Sequence, residues 1–206
     1  MNMPSHRDLA VDLTPLYLKR GKEKRLRNGH PWIFSNEIDT GRSPLKGMEP
    51  GEFVQVRMSN GQALGTGYVN PRTLISVRIL ARDAEQPIDA ALLRARVRIA
   101  LDHRDRHFDS PFYRLVYGES DGLPGLIVDR YGDCLVVQVT TAGMERLRET
   151  IVEVLADVLS PRCLLLKNDI ASRELEGLDL YETVAIGTLP ERIDYDENGA
   201  RFAVSP

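Results

Sequence analysis

The segment from Glu52 to Leu80 restricts the fold more than any other part of the chain. Glu52 to Met58 (EFVQVRM) alternates apolar and polar residues, the period of a strand with one face buried. Ser59-Asn60-Gly61-Gln62 follows, and Asn-Gly adopts the positive φ angles of a tight hairpin turn at low cost. Ala63 to Val69 returns as a second strand, and Leu74 to Leu80 supplies a third after Asn70-Pro71-Arg72. Leu13 to Leu18 reads as a further short strand ahead of them. Short strands in this number, with one short helix among them, point to a small β-barrel or pseudo-barrel.

The helix belongs to the most basic stretch of the chain, Leu18 to Ile38 (LKRGKEKRLRNGHPWIFSNEI). Lys19, Arg20, Lys22, Lys24, Arg25 and Arg27 lead into His30 and Pro31-Trp32-Ile33-Phe34, and only Glu23 opposes them before Glu37. Lys22 to Asn28 has helix-forming composition and is bounded by Gly21 and Gly29. On a helix, Lys22 and Arg25 fall near one face by the three-to-four spacing, so the cations point outward together, as phosphate oxygens require. Gly29-His30-Pro31 ends the helix, and Trp32 to Phe34 can anchor it to a core. A solvated basic face is the alternative reading of such a run. Charge is uneven beyond this stretch. Residues 1–82 carry 13 Lys+Arg against 7 Asp+Glu, a balance of +6, whereas residues 83–206 carry 14 against 23, a balance of -9. A basic module that meets an anion, joined to an acidic body, fits that asymmetry.

The polar, helix-breaking segment Arg82 to Pro87 is the expected boundary between two domains, 1–82 and 83–206. Asp89 caps a predicted long helix to about Phe108, with Leu93, Val97, Ala100, Leu101, Arg104 and Phe108 along one face. Strands follow at Arg114 to Tyr117, Leu126 to Arg130 and Leu135 to Val139. Met144 to Leu159 has the period of a second amphipathic helix, with Leu147, Ile151, Val154, Leu155 and Val158 inward. Arg162 to Leu166 is a buried strand, Asp169 to Leu175 a helical turn, and Val184 to Ile186 extends the sheet. Arg192 to Tyr195 and Arg201 to Val204 flank a final hairpin turn at Glu197-Asn198-Gly199-Ala200. The expected class is α+β: an N-terminal β pseudo-barrel, then a small mixed α/β domain. Cys134 and Cys163 each stand in apolar strands and are expected to be buried packing residues rather than a disulfide or metal site.

Catalytic signatures are mostly absent. Gly65-Thr66-Gly67 lies between strands with no following helix, so it is no dinucleotide loop, and Gly41 to Gly47 lacks the Lys-Ser/Thr of a P-loop. Histidines 6, 30, 103 and 107 have no zinc spacing, and His103 and His107, four apart on a helix, read as a solvent-facing pair. Glu119, Asp121 and Asp129 could together serve acid/base hydrolysis. Their loop is dense in Gly and Pro, however, which favours a turn in which Asp121 binds backbone amides. No apolar run reaches the roughly 20 residues of a membrane span, and MNMPSHRDLAVD has no hydrophobic signal core, so a cytoplasmic protein is expected.

Two long motifs carry a resemblance. RGKEKRLRNGHPWIFSNEI, followed by FVQV, ALGTGYVNP and ISVRIL, resembles the PUA domain that opens the S-adenosylmethionine-dependent rRNA cytosine-C5 methyltransferases of the large-subunit type. YGESDGLPGLIVDRYGDCLVVQ resembles the start of the middle domain of that family. The resemblance implies structured RNA, large-subunit rRNA above all, as the partner. It implies contacts along the short helix and a neighbouring strand, which here means Arg20, Lys22, Lys24, Arg25 and Arg27, with His30 and Trp32 close by. Trp32 either stacks on a base or packs in the core. The family's Rossmann-like catalytic domain, with its cofactor loop and nucleophilic cysteine, would follow Pro206. No catalytic residue, metal or cofactor is therefore assigned within these residues, S-adenosylmethionine belonging to the full-length family. A free-standing PUA-type RNA-binding or ribosome-associated protein is the competing reading, and a homodimer is left open.

Overall fold

The computed structural model describes residues 13–197 and 200–204. His6 and the Asn198-Gly199 turn expected from the sequence lie outside them. The chain divides into two units, one ending at Leu93 and one beginning at Arg94.

The first unit is built on β1 (Thr14–Tyr17), α1 (Lys24–Arg27), β2 (Trp32–Phe34), β3 (Glu52–Arg57), β4 (Ala63–Val69) and β5 (Ile75–Ala81). Its sheet runs β1-β3-β4-β5-β2, with β1 parallel to β3 and the remaining pairs antiparallel. The alternation read in Glu52 to Met58 places Val54 and Val56 in the core, and the Asn-Gly hairpin joins β3 to β4 as expected. Tyr17 and Leu18 then bond to the segment after β2: the Asp39 amide donates to the Tyr17 carbonyl at 2.8 Å and the Lys19 amide to the Glu37 carbonyl at 2.9 Å. These bonds bring the two outer strands together and close the sheet into a pseudo-barrel. Leu16, Leu18, Leu26, Ile33, Ile38, Val54, Val56, Val69, Val77 and Ile79 fill it.

The second unit begins within α2 (Ala90–Asp105) and continues through β6 (Phe112–Tyr117), β7 (Leu126–Tyr131), β8 (Cys134–Val139), α3 (Ala142–Arg146), α4 (Arg148–Leu159), β9 (Cys163–Asn168), α5 (Ser172–Glu176) and β10 (Tyr181–Ile186). The hairpin β11 (Ile193–Glu197) and β12 (Ala200–Val204) closes the described chain. The sheet order is β10-β9-β8-β7-β6, and β8 pairs with β9 in parallel through the α3–α4 crossover. Asp89 caps α2 as expected, accepting the Leu92 amide at 2.9 Å. Leu93, Val97 and Ala100 are buried along its inner face. Phe108 is not part of that face: α2 ends at Asp105, and the ring is 49% exposed.

Two further expectations change. The helix predicted over Met144 to Leu159 starts at Ala142 and breaks at Leu147, where φ -95° and ψ 4° leave the α region. The periodic apolar face still holds, since Leu147, Ile151, Val154 and Leu155 are buried. Cys134 and Cys163 are buried, but they are bonded to each other. The parallel register sets Cys134 opposite Cys163 with their Cα atoms 4.7 Å apart, an alignment that a separation of 29 residues in sequence does not reveal.

Arg173 explains how α3, α5, β8 and β10 are held in this unit. Its side chain is 1% exposed and donates to the Val139 carbonyl, to the Asp179 carbonyl at 2.9 Å and to Glu145 at 2.9 Å. Tyr181 donates to the same Glu145 at 3.0 Å. A guanidinium buried this deeply needs that full set of acceptors.

Candidate nucleic-acid interface

The basic stretch folds into less helix than expected. Only Lys24–Arg27 are helical, so Lys22 lies on the approach rather than on the helix face. Leu26 turns inward and pins the single turn to the barrel core. Gly29 ends it at φ 99°, a conformation that costs a residue with a Cβ. Arg82, far along the chain, donates to the carbonyls of Leu26 at 2.7 Å and of Gly29. A cation is thereby set at the negative end of the turn, where the unsatisfied carbonyls are. No local sequence signal announces this contact, because 56 residues separate Arg82 from Leu26.

The cations separate into two groups. Arg20, Lys22 and Lys24 are exposed, and no side-chain hydrogen bond or ion pair holds them among the described residues. Arg25, by contrast, is engaged three ways. Its guanidinium lies 2.8 Å from Glu37 and 3.3 Å from the Trp32 carbonyl, and sits over the Phe34 ring at 4.9 Å. Glu37 also accepts the Phe34 amide at 2.9 Å, so Arg25 belongs to the corner that follows β2. Arg27 is exposed, with one weak contact to the Met58 sulfur at 3.6 Å.

His30 and Trp32 form the aromatic edge of this face. The Trp32 amide donates to His30 Nδ1 at 3.2 Å, which leaves the neutral ring carrying its proton on Nε2. The two rings meet edge to face at 5.5 Å. Within β2 it is Ile33, at 1% exposure, that anchors the core, while Trp32 and Phe34 are only half-buried.

Elsewhere, two of the three acidic residues singled out in the sequence, Asp121 and Asp129, are held by arginines. Asp121 accepts from both terminal nitrogens of Arg104, at 2.8 and 2.7 Å, and from the Tyr117 amide at 2.6 Å. Asp129 pairs with Arg114 at 2.8 Å on the neighbouring strand. The two carboxylates are thus committed to different arginines. His103 and His107 stack at 4.6 Å, and His107 Nδ1 faces the His103 carbonyl at 2.7 Å.

Comparison with known proteins agrees with the barrel. Residues 16–82 match the PUA-like domain. The similarity runs well past that domain. The chain is 40% identical over 194 residues to "Ribosomal RNA large subunit methyltransferase I" of Shewanella denitrificans, covering 91% of this chain and 48% of that protein. It is 35% identical over 198 residues to the protein of the same name from Photobacterium profundum, covering 93% of this chain and 49% of the relative. The chain therefore spans about half the length of the curated relatives it matches. Among solved structures, a candidate SAM-dependent methyltransferase from Streptococcus mutans superposes with a TM-score of 0.76 at 18% identity, covering 94% of this chain and 48% of that one. A candidate methyltransferase solved in complex with SAH superposes equally well, at 0.76 and 18%. At that identity the likeness concerns the fold. No helix among the described residues is long and apolar enough to cross a membrane.

Proposed function

We propose that this chain is the RNA-docking portion of an enzyme that methylates large-subunit rRNA at a cytosine C5, with residues 1–82 as the RNA-binding module and 83–206 as the middle domain. The observation that carries the reading is the free cationic group Arg20, Lys22 and Lys24, which stands on a barrel that matches the PUA-like domain. Amines and guanidiniums without protein partners are available to phosphate oxygens, and such contacts fix position on RNA without reading sequence. Arg27, His30 and Trp32 extend the face, the last two as a surface on which an unpaired base can stack. Arg25 contributes by holding the corner that presents them. The module positions the target in the cytoplasm, and S-adenosylmethionine supplies the methyl group in the full-length enzyme. Similarity over 91% of the chain, far past residue 82, favours this reading over a free-standing RNA-binding protein.

The test is filter binding of a structured large-subunit rRNA fragment at low salt. Replacing Arg20, Lys22, Lys24 and Arg27 with Glu should abolish retention while the melting temperature stays close to wild type. Equal affinity for the two proteins would refute the docking face.

A further inference from the structure

Three aromatic rings of the second unit stand at its surface without serving its core. Phe112 and Tyr131 are register partners on β6 and β7, so their side chains share a face of the sheet. Arg114 and Asp129, the partners two residues on, share that face as well. Tyr195 of β11 stacks on Phe112 at 5.1 Å with the planes 9° apart, and meets Tyr131 edge-on at 6.4 Å. Phe202 stacks on Tyr195 at 5.5 Å and leaves 45% of its surface exposed. Phe112, Tyr131 and Tyr195 are half-buried, whereas the core tyrosine of the first unit, Tyr68, is fully buried. Phe112, Tyr131 and Tyr195, with Tyr113, Arg114, Asp129 and Arg130, line a cavity of about 350 Å³.

We propose that this cavity holds an unpaired nucleobase of the RNA that the chain binds, a site that rests on the RNA-docking reading above and lies in the other unit. The polar groups decide the ligand class. Arg114 and Asp129 are already paired, at 2.8 and 3.0 Å, and Arg130 donates to the Tyr113 hydroxyl at 2.9 Å. Arg114 and Asp129 thus cancel, Arg130 is left as the lining's one net positive charge, and the Asp129 carboxylate disfavours a phosphate beside it. Flat apolar walls with hydrogen-bonding groups at their edge suit a planar, uncharged ring that carries donors and acceptors. Asp129 accepts from the N–H groups of a base edge. Burial and the nearby Asp129 push the Tyr131 phenol up, so it remains a donor at neutral pH. Stacking of this kind tolerates many sequences, because every base has a flat face.

Photocrosslinking tests the site: a single-stranded RNA oligomer carrying 4-thiouridine is bound to the whole chain, irradiated, and its adducts mapped by peptide mass. The expected result is adducts on Phe112, Tyr131 or Tyr195 in addition to any on the basic stretch. Tyr131→Ala and Tyr195→Ala should each weaken binding of the oligomer roughly 5- to 100-fold, and Tyr195→Trp should restore it. If an alanine variant unfolds, the adduct map of the unaltered chain still decides. Adducts confined to residues before 82, with both alanine variants binding like wild type, would overturn the pocket and leave the basic face standing. Adducts on the tyrosines together with undiminished affinity in the Arg20/Lys22/Lys24→Glu variant would do the reverse. Uridine monophosphate competing as well as the oligomer would overturn the assignment to RNA.

Discussion

Arg20, Lys22 and Lys24 of the first unit and Arg104, Arg114 and Arg173 of the second deploy their charge in opposite ways. In the first, Arg20, Lys22 and Lys24 stand in solvent with no side-chain partner among the described residues. In the second, Arg104 is clasped by Asp121, Arg114 by Asp129 and Arg173 by Glu145. Net charge alone ranks the units by sign, but partnering shows what each charge is available to do. A paired cation holds its own fold, and an unpaired one can bind an anion from outside. Arg25 marks the divide: it lies among the free cations in sequence and behaves like the paired ones in space.

Breaking a partly buried bidentate pair should therefore do more damage than removing a free cation. Asp121→Ala leaves Arg104, whose side chain is 15% exposed, with the Arg114 carbonyl but no carboxylate, and should destabilise the second unit by about 3–5 kcal/mol in urea unfolding. A loss below about 1 kcal/mol would mean the pair is as solvated as the free cations. Reducing the Cys134–Cys163 bond releases a loop with a sequence separation of 29 and should lower stability by about 3 kcal/mol, read as a shift in the urea midpoint. Arg25→Ala should cost about 1 kcal/mol, because its partners are partly exposed. Changing Arg20, Lys22 and Lys24 to Glu should move stability by less than about 0.5 kcal/mol in the same assay. A larger loss would show that these cations hold structure after all.

Local signals made much of this legible. The alternation of EFVQVRM, the Asn-Gly turn and the Asp89 cap each determine structure within a few residues, and each appears where the pattern placed it. The resemblance carried the barrel and the similarity to methyltransferases. What escaped the sequence depends on residues brought together from far away. The Cys134–Cys163 bond needs the parallel register of β8 and β9. The Arg82 contact to Leu26 needs a closed barrel. The pairing of Phe112, Tyr131 and Tyr195 needs two strand registers and a terminal hairpin. Periodicity also ran straight through Leu147, because the apolar face continues although the helix breaks there.

The salt dependence of RNA binding tests the central claim most directly. Affinity of the chain for a structured large-subunit rRNA fragment is measured against salt concentration, for wild type and for the Arg20/Lys22/Lys24→Glu variant. If the three free cations touch phosphate, the slope of log affinity against log salt falls by about 2 in the variant, at roughly 0.7–0.9 per contact. Parallel lines for the two proteins would contradict the account, since the unpaired charges would then be solvated ornament and the RNA would be held elsewhere.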